Sequence, residues 1–288
     1  MKSNFYSSLW PHGGDWSTAV GQAVDNRWQG VEGPLPRDVQ ERQRFYDQRR
    51  AHNLEWIAEI CTATPASSYV PNPGKSVAEH LESLQKGAEE ALPWSPRFIT
   101  TMGGSDAWSL AEKILFAEGL VSLSQSIGLP ISLETHRARC LYNPWTTRAV
   151  LKEVPDLQLT VDFSHWCVVT ERLVMNEEED LLGQMSGHAF HIHARVGYDQ
   201  GPQVPDPRAP EYEEAREAHW RWWSELLKGM AERGFATATL TPEFGPDGYL
   251  QMAPYTRTPV ADLNEINTWM GQYLAEKITR HPNFSTSP

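Results

Sequence analysis

Cysteine is scarce. Cys61, Cys140 and Cys167 are an odd number with no short spacing between them. They build neither a disulfide framework nor a zinc knuckle, and they read as reduced thiols of a cytoplasmic protein. Basic residues are outnumbered, with 25 Lys+Arg against 37 Asp+Glu and a formal net charge of −12. A nucleic-acid backbone needs clustered Lys and Arg, so it is excluded as the main partner. No apolar run reaches the ~18–20 residues of a membrane span. The opening MKSNFYSSLWPHGGDW has no apolar core of the kind a signal peptide carries, so none is expected. A glycine-rich GxGxxG or P-loop pattern is missing after the first apolar run, which removes the usual dinucleotide and nucleotide readings.

What remains is a globular composition: 288 residues, 40% hydrophobic and 22% charged. That supports a core and argues against long disorder. Twelve tryptophans are a high count; most fill core and helix packing, and some are available to bind the face of a sugar. A short β-rich run followed by an amphipathic stretch recurs along the whole chain. Strands are predicted at Phe5–Trp10, Gly30–Leu35, Glu55–Ala63, Arg97–Met102, Ile131–His136, Leu157–Phe163, His188–Arg195 and Ala236–Phe244. Helices are predicted at Trp16–Trp28 (capped by Asp15), Arg37–Asn53, Ser76–Ala91, Ser109–Ile127, Pro144–Val154, Glu177–Met185, Glu211–Arg233 and Asp262–Thr279. Strict alternation means parallel strands joined by helical crossovers. The expected fold is α/β, a single-domain (β/α)8 TIM barrel over residues 1–280, followed by a polar, loose tail at 281–288.

A barrel of this type places its active site at the C-terminal ends of the strands. Four consecutive strands deliver a carboxylate or an imidazole there: Glu134, Asp162, His193 and Glu243. Three carboxylates converging on one mouth repel one another and need a cation to hold them. Three oxygen donors and one imidazole suit one divalent ion, Mn²⁺, Mg²⁺ or Co²⁺ ahead of Zn²⁺, with water or substrate completing the shell. Residues two apart share a strand face, so His136 should accompany Glu134, and His191 and Arg195 should accompany His193. For His191 a hydrogen-bonded core role and a substrate role stand side by side. Arg195 suits a clamp on an oxyanion or hydroxyl. His12, Glu32 and Glu59 lie near the ends of the first three strands, and Gly30-Val31-Glu32-Gly33 would aim Glu32 at the mouth. Trp108 closes the segment after strand four and is a further candidate to line the pocket. The proline-rich loop Val196–Pro210 reads as a lid, and Trp220, Trp222 and Trp223 read as a packing stripe.

At these residues the chain resembles the xylose isomerase-like TIM barrels, the broad sugar phosphate isomerase/epimerase family. Its members include ketose 3-epimerases, inosose isomerases and dehydratases, and hydroxypyruvate isomerase. The family's Glu, Asp, His, Glu metal set maps onto Glu134, Asp162, His193 and Glu243. Its D-x-x-H pattern is present as Asp162-Phe163-Ser164-His165, where the histidine contacts a substrate oxygen, and its H-x-H pattern as His191-Ile192-His193. After that pattern the chain departs from the ketose epimerases, continuing Arg195-Val196-Gly197-Tyr198-Asp199.

The resemblance implies a metal-dependent isomerase or epimerase of a keto-sugar or related polyol. The cation would polarise the carbonyl and stabilise an enediolate. Glu134 and Glu243, on opposite sides of the substrate, would remove and return the proton. His136 and His165 would bind substrate or shuttle that proton. A leaving group β to the carbanion would make the same first step a lyase reaction, a dehydration or a 3-keto-glycoside elimination. A nuclease of the AP-endonuclease type would need a multi-zinc cluster and a basic surface, which the acidic charge disfavours. A catalytically silent sugar-binding barrel is disfavoured by the intact Glu134 and Glu243. The expected partner is a small carbohydrate, with neither nucleic acid nor membrane, and self-association is left open.

Overall fold

The structure is a computed structural model and describes residues 1–64, 72, 74–246, 248–281 and 284. Eight short runs with alternating side-chain directions form the strands β1 Lys2–Ser8, β2 Gly30–Gly33, β3 Glu55–Cys61, β4 Phe98–Met102, β5 Ile131–Glu134, β6 Gln158–Val161, β7 Ala189–His193 and β8 Thr237–Thr241. Each pairs in parallel with the next, and β8 returns to β1 with Leu240 opposite Phe5, which closes the barrel. The helices are α1 Trp16–Asp25, α2 Val39–Ala51, α3 Val77–Ala91, α4 Leu110–Ile127, α5 Pro144–Glu153, α6 Ser164–Thr170, α7 Glu179–Ser186, α8 Glu213–Glu232 and α9 Leu263–Arg280.

Local sequence sets most of these boundaries. Asp15, Asp38, Asn143 and Asp262 each cap a helix by accepting a backbone N–H through the side chain. Ser76 with Glu79 and Ser109 with Glu112 form reciprocal capping boxes at α3 and α4. Gly128 ends α4 in the left-handed region, at φ 66°.

The strands stop earlier at the barrel mouth than their β-rich runs predict, because polar side chains there replace the ladder. The Asp162 N–H, for example, donates to Thr135 Oγ1 at 2.8 Å instead of to a carbonyl of β5. Asp162 Oδ1 in turn accepts the Ser164 N–H at 2.8 Å. That bond starts α6, a helix the sequence pattern does not announce. Trp10, expected to end the first strand, instead opens a 3-10 turn, Trp10–His12, with Pro11 in its second position.

The segment Val196–Pro210 is tied down by hydrogen bonds and lies outside the cavity lining. The Val204 N–H donates to Val196 O at 2.9 Å. The buried Gln203 side chain both donates to Gly245 O at 3.2 Å and accepts the Gly245 N–H at 2.8 Å. Trp220, Trp222 and Trp223 are buried along α8; Trp222 meets Phe163 edge to face and donates from Nε1 to Asn176 Oδ1 at 3.1 Å. In the tail expected at 281–288, Phe284 is buried and stacks on His281; residues 282, 283 and 285–288 lie outside the described residues, as do 65–71 of the loop after β3. Among the described residues no helix is long and apolar enough to cross a membrane.

Candidate active site

The barrel interior is filled in layers, and the layers change character from bottom to top. Tyr6, Ile57 and Phe98 form a buried apolar cluster with Phe190 against it. Above them come small hydroxyls, with Thr100 Oγ1 donating to Thr160 Oγ1 at 2.7 Å and Ser132 2.6 Å from the same oxygen. His191 belongs to this middle region, its Nδ1 2.8 Å from Thr239 Oγ1. Two residues further along each strand, the same inward faces carry Met102, Glu134, Asp162, His193 and Thr241. Another step of two brings His136, Arg195 and Glu243.

One ligand-type atom from each of Glu134, Asp162, His193 and Glu243 lies within 4.8 Å of the others, and all four residues are buried. His193 is the centre of the arrangement. Its Nδ1 is 3.3 Å from Glu134 Oε1 and 3.1 Å from Glu243 Oε2. Its Nε2 donates to Glu32 Oε1 at 3.0 Å. Glu32 Oε2 accepts from His191 Nε2 at 3.1 Å and from Thr241 Oγ1. Glu32 therefore lies beneath the cluster and holds two imidazoles.

Arg195 closes the other side. Its Nη2 donates to Asp162 Oδ2 and, at 2.8 Å, to His165 Nε2; its Nε donates to Ser164 Oγ at 3.0 Å. Apart from the His193 Nδ1–Glu243 Oε2 contact at 3.1 Å, which is not aligned as a hydrogen bond, Glu134 Oε2, Glu243 Oε2 and His193 Nδ1 are buried without a hydrogen-bond partner among the described residues. Buried polar atoms are rarely left in that state. Two carboxylate oxygens and one imidazole nitrogen, with the Asp162 carboxylate beside them, are a donor set that fits a divalent cation.

Charge is unevenly balanced here. Burial pushes the Glu134 carboxyl up to about 7; His193 opposes this, and Glu243 and Asp162 add to it. Burial also raises Asp162 in spite of Arg195. For Glu243 burial acts upward, but His193 and Arg195 outweigh it and hold the carboxyl low. For Glu32 burial is likewise outweighed by His191 and His193, and the net shift is downward. His193 is raised well above an ordinary histidine: burial opposes this, and Glu243, Glu32 and Glu134 prevail. His136 and His165 are held neutral, chiefly by burial and then by Arg139 for the first and by His136 and Arg195 for the second.

A cavity of about 480 Å³ opens above the cluster, within the range of small-molecule sites. Of the residues singled out from sequence, Glu134, His136, Arg195, Glu243 and Glu59 line it. Asp162 and His193 lie at the cluster. His165 packs against His136 with ring centroids 3.8 Å apart and the rings tilted by 46°.

Four candidates fall elsewhere. His191 is in the hydrogen-bonded core, and Glu32 is consumed beneath His193. Trp108 is packed between His80 and Phe116, with its Nε1 donating to Lys75 O at 3.2 Å. His12 is turned to Gln22, its Nε2 3.1 Å from Oε1. The loop Val196–Pro210, read as a lid, contributes nothing to the cavity wall. Sequence reasoning missed Trp10, Met102 and Tyr249, all in the lining. A usable signal was Gly245: a Cβ there would lie 2.1 Å from the Trp10 ring, so only glycine lets that indole reach the mouth.

No protein-family model matches the chain, and no curated protein does. Solved structures do. A D-tagatose 3-epimerase-like protein superposes with a TM-score of 0.61 at 13% identity, over 95% of this chain and 98% of its own. The probable 3-DHS dehydratase of petrobactin synthesis from Bacillus anthracis gives a TM-score of 0.58 at 15% identity, over 95% and 98%. The 3-keto-D-glucoside 4-epimerase from E. coli gives 0.55 at 12% identity, over 94% and 100%. At these identities the likeness establishes a shared fold: the chain is an eight-stranded barrel of the kind on which these sugar epimerases and this dehydratase are built.

Proposed function

We propose that the protein is a divalent-cation-dependent epimerase or isomerase of a keto-sugar, with Glu134 and Glu243 as the proton-transferring pair. The supporting observation is the convergence of four ligand-type groups within 4.8 Å, several of their buried atoms lacking hydrogen-bond partners, on the floor of a sugar-sized cavity. Glu134, Asp162, His193 and Glu243 would hold a divalent cation, which would supply the positive charge that makes a C–H beside a carbonyl acidic.

The chain's own residues do the rest. Glu134 comes from β5 and Glu243 from beyond β8, three strands further round the barrel. Two carboxylates so placed can reach opposite faces of a planar carbon, one taking a proton and the other returning one. Arg195 fixes both Asp162 and the Glu243 main chain, its Nη1 donating to Glu243 O at 3.4 Å. His136, kept neutral in the cavity wall, suits hydrogen bonding to a substrate hydroxyl. A leaving group β to the same carbanion would turn the reaction into an elimination.

The test is exchange of substrate α-protons in D₂O across a panel of keto-sugars and inososes, with Mn²⁺ or Mg²⁺ added. Exchange is expected on at least one, with product analysis separating epimerisation from elimination. Glu243→Gln should lower the exchange rate by about 10²–10⁴-fold. A Glu243→Gln protein that exchanges at the wild-type rate would refute the two-carboxylate reading.

A further inference from the structure

Arg137 follows His136 directly, past the end of β5, and is half-buried. Its guanidinium lies over the Tyr249 ring, 4.7 Å from the centroid. His136 and Tyr249 both line the cavity, which puts Arg137 at its rim. Among the described residues this guanidinium enters no ion pair and no hydrogen bond, in a chain with 37 Asp and Glu. Arg195, over the same ring at 4.9 Å, is the contrast: its donors are taken by Ser164, Glu243 O, Asp162 and His165.

The backbone holds Arg137 in place. The Arg139 N–H donates to His136 O at 3.2 Å, which closes a tight turn with Arg137 and Ala138 at its corners. Ala138 sits at φ 61°, in the left-handed region that strains any residue but glycine. The Arg137 carbonyl accepts from His136 Nδ1. The buried Arg139 anchors the far end, its Nη1 donating to Thr62 O at 3.3 Å. A guanidinium seated on an aromatic face from a fixed turn loses little freedom when its N–H edge meets an oxyanion.

Charge on this side of the cavity is positive. The guanidiniums of Arg139, Arg195 and Arg137 all act on His136, and those of Arg195 and Arg137 act on His165. Glu134, His136 and His165 do bring ligand-type atoms within 4.8 Å of one another, but three guanidiniums about the imidazoles repel a second cation there. The chemistry this side matches is an anion, held by the paired N–H groups of an arginine. Arg137 and Arg195 share one phenol ring, and Arg195 reaches the cluster through Asp162. A group on Arg137 and a carbon over the cluster therefore fall within one small molecule.

We infer that Arg137, carried on the Tyr249 ring, is a specificity-determining residue that binds a carboxylate or phosphate at the end of the substrate away from the reacting carbon. This rests on the proton-transfer reading above. The cluster handles the carbonyl and its neighbouring C–H, and Arg137 reads the charge at the rim.

The experiment measures α-proton exchange in D₂O with Mn²⁺ on three probes of one skeleton: a ketohexose, the same sugar with C6 oxidised to a carboxylate, and the same sugar phosphorylated at C6. In the wild-type protein kcat/KM is expected to be at least about tenfold higher on one charged probe than on the neutral sugar, and which one it is tells carboxylate from phosphate. Arg137→Gln should raise KM for that probe about 10–100-fold, while its kcat and the constants of the neutral sugar change less than about threefold. Arg137→Lys, which keeps the charge and loses the fork, should fall between. A wild-type preference for the neutral sugar, or an Arg137→Gln loss equal on charged and neutral probes, overturns the inference and leaves the proton-transfer reading standing. Exchange on none of the three counts against the proton-transfer reading, and NMR then decides the anion site by itself. The Arg137 Nε–H resonance, assigned by its loss in Arg137→Gln, is followed with Mg²⁺ present during titration with inorganic phosphate or glycolate. A saturable shift supports the site, and no shift overturns it as well.

Discussion

Replacing Glu32 by glutamine removes one charge from beneath the cluster and keeps the side chain's size. Glu32 Oε1 accepts from His193 Nε2 at 3.0 Å, and Oε2 accepts from His191 Nε2 at 3.1 Å. With Nε2 committed, His193 turns Nδ1 to Glu134 and Glu243. Glutamine offers one acceptor oxygen and one NH₂ donor, so one imidazole must give up its Nε2–H. If that ring is His193, the neutral form that cation binding requires would keep its proton on Nδ1 instead of Nε2, and the lone pair a cation would use is lost. Partners of this kind are worth about 10–100-fold in metal affinity, or about 1.4–2.7 kcal/mol. Calorimetric titration with Mn²⁺ should therefore show weakening within that range in Glu32→Gln. A ¹⁵N spectrum of the imidazoles with diamagnetic Mg²⁺ bound, where His193 must be neutral, reports whether its tautomer has changed, a readout independent of catalysis. Affinity within twofold of wild type with an unchanged tautomer would refute the positioning argument. Failure of the wild-type protein to bind any divalent ion would remove the cation reading altogether.

Three further outcomes are expected. Burial, with Glu243 and Glu134, pushes the Glu59 carboxyl from about 4.5 to about 8. The folded state therefore holds an extra proton between those values, so this group's contribution to stability is full below about 4.5 and is lost as pH rises through about 8. In chelator-treated protein, the melting point of Glu59→Gln minus that of wild type should grow from acidic to mildly alkaline pH, and a difference flat with pH would contradict the raised carboxyl. Because His193 is raised well above an ordinary histidine, Mn²⁺ binding near neutral pH should release about one proton; a binding enthalpy independent of the buffer's ionisation enthalpy would count against that. Gly245→Ala places a Cβ 2.1 Å from the Trp10 ring, so it should destabilise the protein by about 1–3 kcal/mol and alter KM, whereas unchanged melting and KM would mean that the ring moves freely.

How far the sequence could be read depended on whether a signal was local. Ser76 and Ser109 each precede a glutamate by three residues, and both helix starts fall there. The cluster was legible for a different reason. In a closed parallel barrel successive strand ends lie in one ring, so residues distant in sequence are gathered by topology alone. Trp10 and Tyr249 escaped because they belong to a 3-10 turn and a loop, where no period of two or of 3.6 marks a buried face. Glu32 was aimed at the mouth on the strength of its glycines. Its placement was decided by two histidines on β7, more than 150 residues away in sequence, whose ring hydrogen bonds no local pattern encodes. Trp108 shows the converse error, an aromatic near a strand end whose partners, His80 and Phe116, lie on the helical layer.

The charge distribution explains why the two ends of the barrel interior differ. Stability alone would be served by continuing Tyr6, Ile57 and Phe98 upward, since buried ion pairs seldom improve on apolar packing. Instead Glu32, Glu134, Asp162 and Glu243 are buried close together, with His193 and Arg195 as the compensating cations. Where compensation suffices, at Glu32 and Glu243, the carboxyl is held low; where it does not, at Glu134 and Asp162, it is raised. The deficit is therefore localised on two members of the proposed cation set, one of them a proposed proton carrier. A barrel that departs from good packing in one layer does so where function requires it. The departure here leaves two carboxyls that hold protons more readily than usual at the floor of the cavity, where on the proposed reading the substrate would sit.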